Sequence, residues 1–370
     1  MTRTIFLPDA VRGLSVLYRQ SRRPFVVLRR SSKILIGTGL VLIILAAVLR
    51  FVVVPAFSKL PGSVDVTAQY VGTGTLMNPA ALQSGDYANV IASGVPVTVD
   101  RHVYVSETEG DSAVAHDDFT VSAPGGISLP TNHTYVLDRK SMDAADPIDG
   151  VDAEPHSGMT IGLPLSPDAS DYSLYDFATR STVPLTYIDS SVVSGRDVLN
   201  YRAEASGPLQ DPAILGALPP ALPKAQLAGL APLLPADLQA ELAPALGSLP
   251  DPVPFNYTAV TKFALSADSA LGTPIDGALD QQVIANVEVG GKNISLIPVL
   301  ALDTKLSDQS IADAANAASS QSRLLTLISV VTPIVLVLVG IALIAVGLLR
   351  RKKQPSTTTS ERATVDSSTA

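Results

Sequence analysis

Two long hydrophobic runs near the ends of the chain constrain its fold more than any other feature. The first covers residues 34–57 and the second covers residues 324–349. A helix crosses the hydrocarbon core of a bilayer with roughly 20 mostly apolar residues, and each run exceeds that length. The sequence therefore predicts two membrane-spanning helices that frame one large domain, residues 58–323.

Basic residues flank each run on the side of the nearer chain terminus. Residues 1–33 contain eight Lys and Arg against one acid, and the second run is followed by four basic residues, 350–353. Because segments rich in Lys and Arg next to a span stay in the cytoplasm, we expect a plasma-membrane protein with both termini cytoplasmic and residues 58–323 extracytoplasmic. The Ser/Thr-rich tail, residues 350–370, is predicted to be disordered.

A cleaved signal peptide is the alternative to a retained first helix. Residues 56–58 offer small side chains at the positions that signal peptidase prefers. Signal peptides, however, have apolar cores of only about 7–15 residues after a short basic region. The length of the first run and of its basic segment favours a retained anchor.

The segment between the two runs is strongly acidic. It contains 12 of the 26 Lys and Arg but 31 of the 34 Asp and Glu, a formal net charge of −19. Such a surface repels nucleic acid and anionic headgroups and attracts cations or basic partners. We therefore expect no nucleic-acid partner. The sequence has no cysteine, so the hydrophobic core must stabilise this domain without disulfides.

Alternating apolar residues dominate the same segment. In residues 95–105 the odd positions are apolar except Arg101, which is typical of a strand with one buried face. Similar runs recur at residues 64–72, 119–122, 134–137, 183–188, 198–203, 257–265, 283–289 and 294–302. Ser194-Gly195 and Gly290-Gly291 predict tight hairpins. The predicted fold class is mainly β: a large antiparallel β exported domain with a short helical insert, anchored by one transmembrane helix at each end.

The Pro/Leu/Ala-rich segment 208–254 interrupts the β pattern. Leu234, Leu238, Leu242 and Leu246 recur every four residues, which predicts short amphipathic helices punctuated by prolines. Two interpretations of these four leucines are open. They either cap the open end of the β core or form an apolar contact surface for a lipid, a membrane or a protein partner. We take them as the candidate ligand-contact or partner-contact residues.

Motifs that carry catalysis are missing from the sequence. It contains no Walker loop, nucleophile elbow, zinc pair or HExxH. Gly72-Thr73-Gly74 lacks the third glycine of a dinucleotide loop and is interpreted as a turn. His116-Asp117-Asp118 and the acidic stretch 143–154 are candidate cation sites, but a solvated strand edge and a solvated loop are favoured. We predict no catalytic residues, no metal, no cofactor and no enzymatic activity.

Several segments resemble a known family. Residues 49–55, Tyr175-Asp176, residues 183–188 and residues 199–202 are similar to segments of the actinobacterial two-pass membrane proteins of unknown function that are often labelled porin PorA. The resemblance covers about residues 33–352. It implies a cell-envelope location and a β-rich extracytoplasmic domain, and it supplies no active site.

The porin label meets a physical difficulty, because two helices cannot enclose an aqueous pore. We therefore expect a two-pass envelope protein in the lipid bilayer whose acidic β domain binds or transfers lipid or small solutes. The alternative is a structural or sensory scaffold that docks other envelope proteins or a second copy of the chain. Purification in mild detergent, with identification of the lipid that copurifies, separates these two hypotheses best.

Overall fold

The computed structural model describes residues 30–350. The predicted cytoplasmic segments 1–33 and 350–370 lie outside the described residues, except for residues 30–33 and Arg350. The chain divides into two compact units, one formed by the residues up to Ala47 and from Pro333 onward, the other by Val48–Thr332. The predicted fold class is confirmed: the structure is mainly β, with an apolar helix near each end that is long enough to span a membrane.

The helices are short except near the two ends of the chain. They are α1 (Arg30–Val48), α2 (Val54–Phe57), α3 (Pro79–Ser84), α4 (Pro212–Ala217), α5 (Lys224–Leu230), α6 (Ala236–Ala245), α7 (Asp308–Thr326) and α8 (Thr332–Leu349). Two π-helical turns, Leu49–Val53 and Leu327–Val331, follow α1 and precede α8. Helix α1 leads through the first π-turn into α2, and α7 leads through the second into α8.

The first unit is a pair of helices, α1 and α8, that touch through glycines. A Cβ placed on Gly39 would lie 2.5 Å from the Gly340 carbonyl oxygen, and one placed on Gly347 would lie 2.8 Å from Ile36 Cγ1. Gly340 and Gly347 are seven residues apart, so both lie on one face of α8. Small residues allow two helix backbones to approach closely in a membrane, and they set the packing of this pair.

The second unit is built on one antiparallel sheet of ten strands. Its twelve strands, including a separate two-residue pair, are β1 (Asp65–Met77), β2 (Ile91–Glu109), β3 (Ser112–Ala123), β4 (Ile127–Asp138), β5 (Tyr172–Asp176), β6 (Ser181–Val193), β7 (Arg196–Pro208), β8 (Ala221–Leu222), β9 (Val253–Pro254), β10 (Asn256–Asp268), β11 (Pro274–Val289) and β12 (Lys292–Leu306). Strands β8 and β9 pair with each other. The large sheet has the order β4-β3-β2-β1-β12-β11-β10-β7-β6-β5. Each predicted run lies in one of these strands, except that Val64 precedes β1.

Both predicted hairpins are confirmed. Val193 pairs with Arg196 across Ser194-Gly195, and Val289 pairs with Lys292 across Gly290-Gly291. The expectation that Gly72-Thr73-Gly74 forms a turn is wrong, because these residues lie inside β1. A Cβ on Gly72 would lie 2.0 Å from the Asp303 carbonyl oxygen of β12. Glycine is used here because two strand backbones approach closely.

The segment between β4 and β5 bridges the two edges of the curled sheet. The amides of Ala145 and Glu154 donate to β4 carbonyls at 3.0 and 2.8 Å. Farther along the segment, Met159 exchanges hydrogen bonds with β5, donating to Ser173 and accepting from Tyr175. Residues 143–159 therefore satisfy backbone groups on both edge strands, which otherwise favour aggregation.

The hydrophobic core lies inside the curled sheet. Large buried members include Tyr70, Val97, Val99, Val283 and Leu302. Strand β1 begins and β12 ends at the same end of the sheet, where Tyr70 pairs with Leu306. The insert leaves β7 and returns to β10 at the opposite end. That position lets the insert cover the core of the sheet.

Candidate functional site

A small apolar cavity lies between the insert and the end of the sheet. Its volume is about 30 Å³. The insert contributes Pro219, Leu222, Leu227, Leu230 and Leu234, and the sheet and the segments next to it contribute Met77, Leu82, Val90, Ile91, Phe255, Tyr257, Ala285, Leu296, Ile297 and Val299. Ligand pockets are usually about 300–1,000 Å³, so the cavity is nearly closed in this state.

The wall of this cavity contains one polar side chain, that of Tyr257. Its hydroxyl donates to the Pro219 carbonyl oxygen at 2.6 Å, so the group is already satisfied. Burial raises the pKa of Tyr257 above its ordinary value, which keeps the hydroxyl neutral. The cavity therefore presents hydrocarbon and aromatic surface only, the lining that suits an apolar ligand.

The four candidate leucines face the interior of the insert and the sheet. Leu234 and Leu242 are buried, whereas Leu238 and Leu246 are partly buried. All four pack in one cluster with residues of β11 and β12, among them Val287, Ile294 and Leu296. This placement agrees with the capping interpretation. Leu234 alone of the four also lines the cavity, and the assignment of the set as contact residues stays a prediction.

Proline and apolar spacing explain why the insert folds as short helices. Asp211 is the N-cap of α4, where its carboxylate accepts a hydrogen bond from Ile214 N at 2.7 Å. Pro212 occupies the first turn, where a missing N–H is tolerated. Pro223 and Pro235 precede α5 and α6. Helices α5 and α6 turn their leucines inward, whereas α4 buries Ile214 and exposes Leu215. The prolines separate the helices.

A buried polar network ties the insert to the sheet. His133 on β4 donates from Nδ1 to Glu154 Oε1 at 2.7 Å, and its Nε2 lies 3.6 Å from Asp211 Oδ2. The second distance is too long for a hydrogen bond. His133 and Asp211 side chains are each 1% exposed. The network joins β4, the bridging segment and the start of the insert.

His156 lies beside this network. Its Nδ1 donates to the Glu154 carbonyl oxygen at 3.1 Å. Burial lowers the pKa of His156, because taking the imidazolium out of water disfavours the charged form. The imidazole is therefore held neutral and fixes the bridging segment.

The His116-Asp117-Asp118 segment requires a correction, because it is not a solvated edge. Asp117 is buried and accepts two hydrogen bonds from Arg101, from Nε and Nη2, each 2.7 Å long. Burial acts to lower the pKa of Arg101, but the charge and hydrogen bonds of Asp117 outweigh it, and the pKa is raised. Replacing Asp117 cannot leave the fold unchanged, because the arginine would lose its partner.

Asp143 and Glu154 of the acidic stretch 143–154 make contacts that hold the fold together. Asp143 Oδ1 accepts hydrogen bonds from the amides of Ala144 and Gly158, both at 2.8 Å. Glu154 turns inward to His133. Within residues 30–350, no group of three or more His, Cys, Asp or Glu side chains is arranged to hold a metal ion.

Comparison with protein families decides the relationship of this chain. The model of a family described as Porin PorA matches residues 31–349. The chain belongs to the porin PorA family. Membership in this family, together with the two apolar helices, makes the chain a membrane protein in a lipid bilayer. A comparison with curated proteins finds no match.

The solved structures that match this member of the porin PorA family are too dissimilar to support a conclusion about it. The full-length peroxisomal multifunctional enzyme type 2 from Drosophila melanogaster is 13% identical, with a TM-score of 0.13; the match covers 73% of this chain and 40% of that enzyme. A MaoC-like dehydratase is 11% identical with a TM-score of 0.13, covering 70% and 82%. The dehydratase domain of RzxB from Pseudomonas fluorescens is 12% identical with a TM-score of 0.10, covering 71% and 84%.

Two buried groups were missed by sequence reasoning. Arg101 interrupts a row of inward-facing apolar residues, and that interruption was a usable signal for a buried ion pair. His133 also lies on an inward-facing row of its strand, between buried Thr131 and Tyr135. Its partners, Glu154 and Asp211, belong to irregular segments, so no spacing rule brings them together.

Proposed function

We propose that this porin PorA family member is an envelope protein whose β domain binds an apolar ligand, a lipid acyl chain or a small apolar solute, beneath the insert. The observation that supports this function is the cavity wall, which is apolar except for one satisfied hydroxyl. Buried polar ligand groups require polar partners. A sugar, a nucleotide or an ion finds none in this wall, whereas hydrocarbon does.

Ligand entry requires the insert to move, because the cavity of about 30 Å³ is too small for an acyl chain. The contacts between the insert and the sheet suit such a movement. Leu227, Leu234 and Leu242 rest on β11 and β12 through apolar side chains, and Lys292 pairs with Glu241 at 3.6 Å on the surface. The polar contacts of the insert with the sheet, at Asp211 and Pro219, involve its start. Apolar contacts slide and re-form without breaking a β-ladder, so the part of the insert that follows, α5 and α6, is suited to act as a lid.

Locking the insert is expected to abolish binding of a fluorescent fatty acid, cis-parinaric acid. Because the chain has no cysteine, the pair Glu241→Cys and Lys292→Cys places two thiols across the boundary between insert and sheet. A short bis-maleimide then joins the insert to β12. The fluorescence titration of the full chain in mild detergent should show saturable binding before cross-linking and none after it.

A second thiol pair controls for the chemistry of this experiment. Lys262 and Asp280 also form an exposed ion pair, 3.8 Å apart, but both lie within the sheet on β10 and β11. Cross-linking Lys262→Cys to Asp280→Cys should leave fatty-acid binding unchanged. Binding that survives the insert lock, or that is absent from the unmodified protein, contradicts the proposed function and leaves the scaffold hypothesis.

We also propose the orientation and the absence of catalysis. The basic flanks favour cytoplasmic termini and an extracytoplasmic β domain. Lys292→Cys, on the exposed hairpin end, should therefore react with a membrane-impermeant maleimide in intact cells, and Ser356→Cys should react only after permeabilisation. The opposite labelling pattern would contradict this topology.

The absence of catalysis is proposed from the buried His133 network. Its imidazoles contact carboxylates that already hold the fold together, so we assign it a structural role.

A further inference from the structure

A second small cavity, the inner cavity, lies inside the curled sheet. Its volume is about 20 Å³, and its wall is mostly apolar, with Phe119, Phe177 and Leu279 among the residues that form it. Thr131 and Gln281 also line this cavity, and both residues are buried. Buried polar side chains normally have hydrogen-bond partners, so the partners of these groups need to be accounted for.

Gln281 and Thr261 are neighbouring buried residues that each carry an unpaired polar atom. Gln281 on β11 is in register with Thr261 on β10, so their side chains lie on the same face of the sheet. The two residues are 3% and 6% exposed. Within the part of the chain that the structure describes, Gln281 Nε2 and Thr261 Oγ1 form no hydrogen bond. Leaving such groups unpaired is destabilising, which makes this position suited to a ligand that pairs with them.

The inner cavity adjoins the cavity beneath the insert. On β12, Val299 lines the cavity beneath the insert, and the next residue, Leu300, lines the inner cavity. On β11, Ala285 lines the first cavity and Gln281 the second, and one inward-facing residue, Val283, lies between them. Four residues of a strand span about 13 Å. An extended amphiphile of that length reaches both cavities once the apolar side chains between them shift.

The charges around the two cavities restrict the class of ligand. Among residues 30–350, no charged side chain lines either cavity, and the buried cation Arg101 is already paired with Asp117. Burying a carboxylate without a cation is costly, whereas an ester or amide carbonyl needs only a hydrogen-bond donor. The Gln281 carboxamide carries two N–H donors. The site therefore favours an uncharged carbonyl over a carboxylate.

We propose that the inner cavity holds the uncharged polar head of the ligand: an ester or amide carbonyl accepts a hydrogen bond from Gln281 Nε2, while the attached acyl chain lies beneath the insert. The Thr261 hydroxyl is available to a second oxygen of the same head. This inference rests on the proposed function and narrows its ligand to a neutral acyl ester or amide. A free fatty acid enters the same position as the neutral acid.

Gln281→Met tests the hydrogen bond, because methionine has a similar length and no N–H group. Two fluorescent probes are titrated into the full chain in mild detergent: the methyl ester of cis-parinaric acid, which has a carbonyl, and diphenylhexatriene, which has no polar group. The cross-linked insert lock gives the background from probe dissolved in micelles. Gln281→Met should bind the ester about five- to tenfold more weakly and diphenylhexatriene with unchanged affinity.

Gln282→Met is the matched control for this substitution. Gln282 is the next residue on β11 and is partly exposed, on the opposite face of the strand. Its replacement should leave the affinity for both probes unchanged. Because Gln281→Met removes an unpaired buried amide, its thermal unfolding midpoint without probe should equal or exceed that of the unmodified chain.

Two results would overturn the proposal. Equal affinity of the unmodified chain and Gln281→Met for the ester would show that the carboxamide does not contact the ligand. Equal weakening of both probes would show that the substitution alters the shape of the cavity and removes no hydrogen bond to the ester. Failure of both probes to bind the unmodified chain is a different outcome, because it contradicts the proposed function on which this inference rests.

Discussion

Replacing Asp117 by alanine is expected to destabilise the β domain by about 3–5 kcal/mol, because it leaves the charge of buried Arg101 without a partner. Arg101 is 8% exposed and lies in the interior of the sheet with its guanidinium 5.2 Å from the centre of the Phe119 ring. Most of this group is buried away from solvent, so its charge is stabilised by the two hydrogen bonds that it donates to the Asp117 carboxylate. Thermal unfolding of the full chain in mild detergent, followed by far-ultraviolet circular dichroism, measures the loss.

The neighbouring residue provides the control for this change. Asp118→Ala removes a partly exposed carboxylate on the same strand and should change stability by less than about 0.5 kcal/mol. The double variant Arg101→Met and Asp117→Leu removes the whole pair and should be more stable than Asp117→Ala alone. Equal unfolding midpoints for Asp117→Ala and Asp118→Ala would show that the ion pair is not buried as described.

The helix pair should be disrupted by Gly39→Leu. A Cβ at this position would lie 2.5 Å from a carbonyl oxygen and 2.7 Å from Ile344 Cγ1, so α1 and α8 must separate. Overpacking of this kind costs about 1–3 kcal/mol, and the small-residue contact that pairs the helices is lost. We expect a lower midpoint for the helical signal at 222 nm in detergent micelles.

A second glycine on α1 isolates the effect of packing. Gly37 has nothing within 4 Å of a Cβ placed on it, and Gly37→Leu carries the same gain in helix propensity, about 1 kcal/mol. It should leave the midpoint unchanged or raise it. If both variants melt together, the close approach of α1 and α8 does not contribute to stability.

Periodicity made the strands and the insert predictable. Each apolar run predicted from the sequence coincides with a strand to within one residue, because one face of every strand packs on the core and imposes a period of two. The insert was predictable from its leucine spacing and its prolines, since both act locally. Segment 143–159 carries no period, because it bridges two strand edges through backbone hydrogen bonds that place few demands on side chains.

The polar groups and the cavity were less accessible to sequence reasoning. On β3, the inward-facing residues are Ala113, Ala115 and Asp117. Two small alanines followed by an acid do not form a clear apolar row, so the sequence pattern gives no sign that the Asp117 carboxylate is buried. The cavity is assembled from the α3 region, the insert and the ends of β10–β12, which are far apart in sequence. Contacts between distant segments leave no local spacing, and only the fold brings them together.

Photoaffinity labelling tests the central claim, an apolar ligand beneath the insert, most directly. The full chain is incubated in mild detergent with a fatty acid that carries a diazirine, irradiated, digested and mapped by mass spectrometry. We expect adducts on the peptides that contain Leu227, Leu234 and Leu296, and their loss after the insert is cross-linked to β12. Adducts confined to the two apolar helices, unchanged by the cross-link, would contradict it.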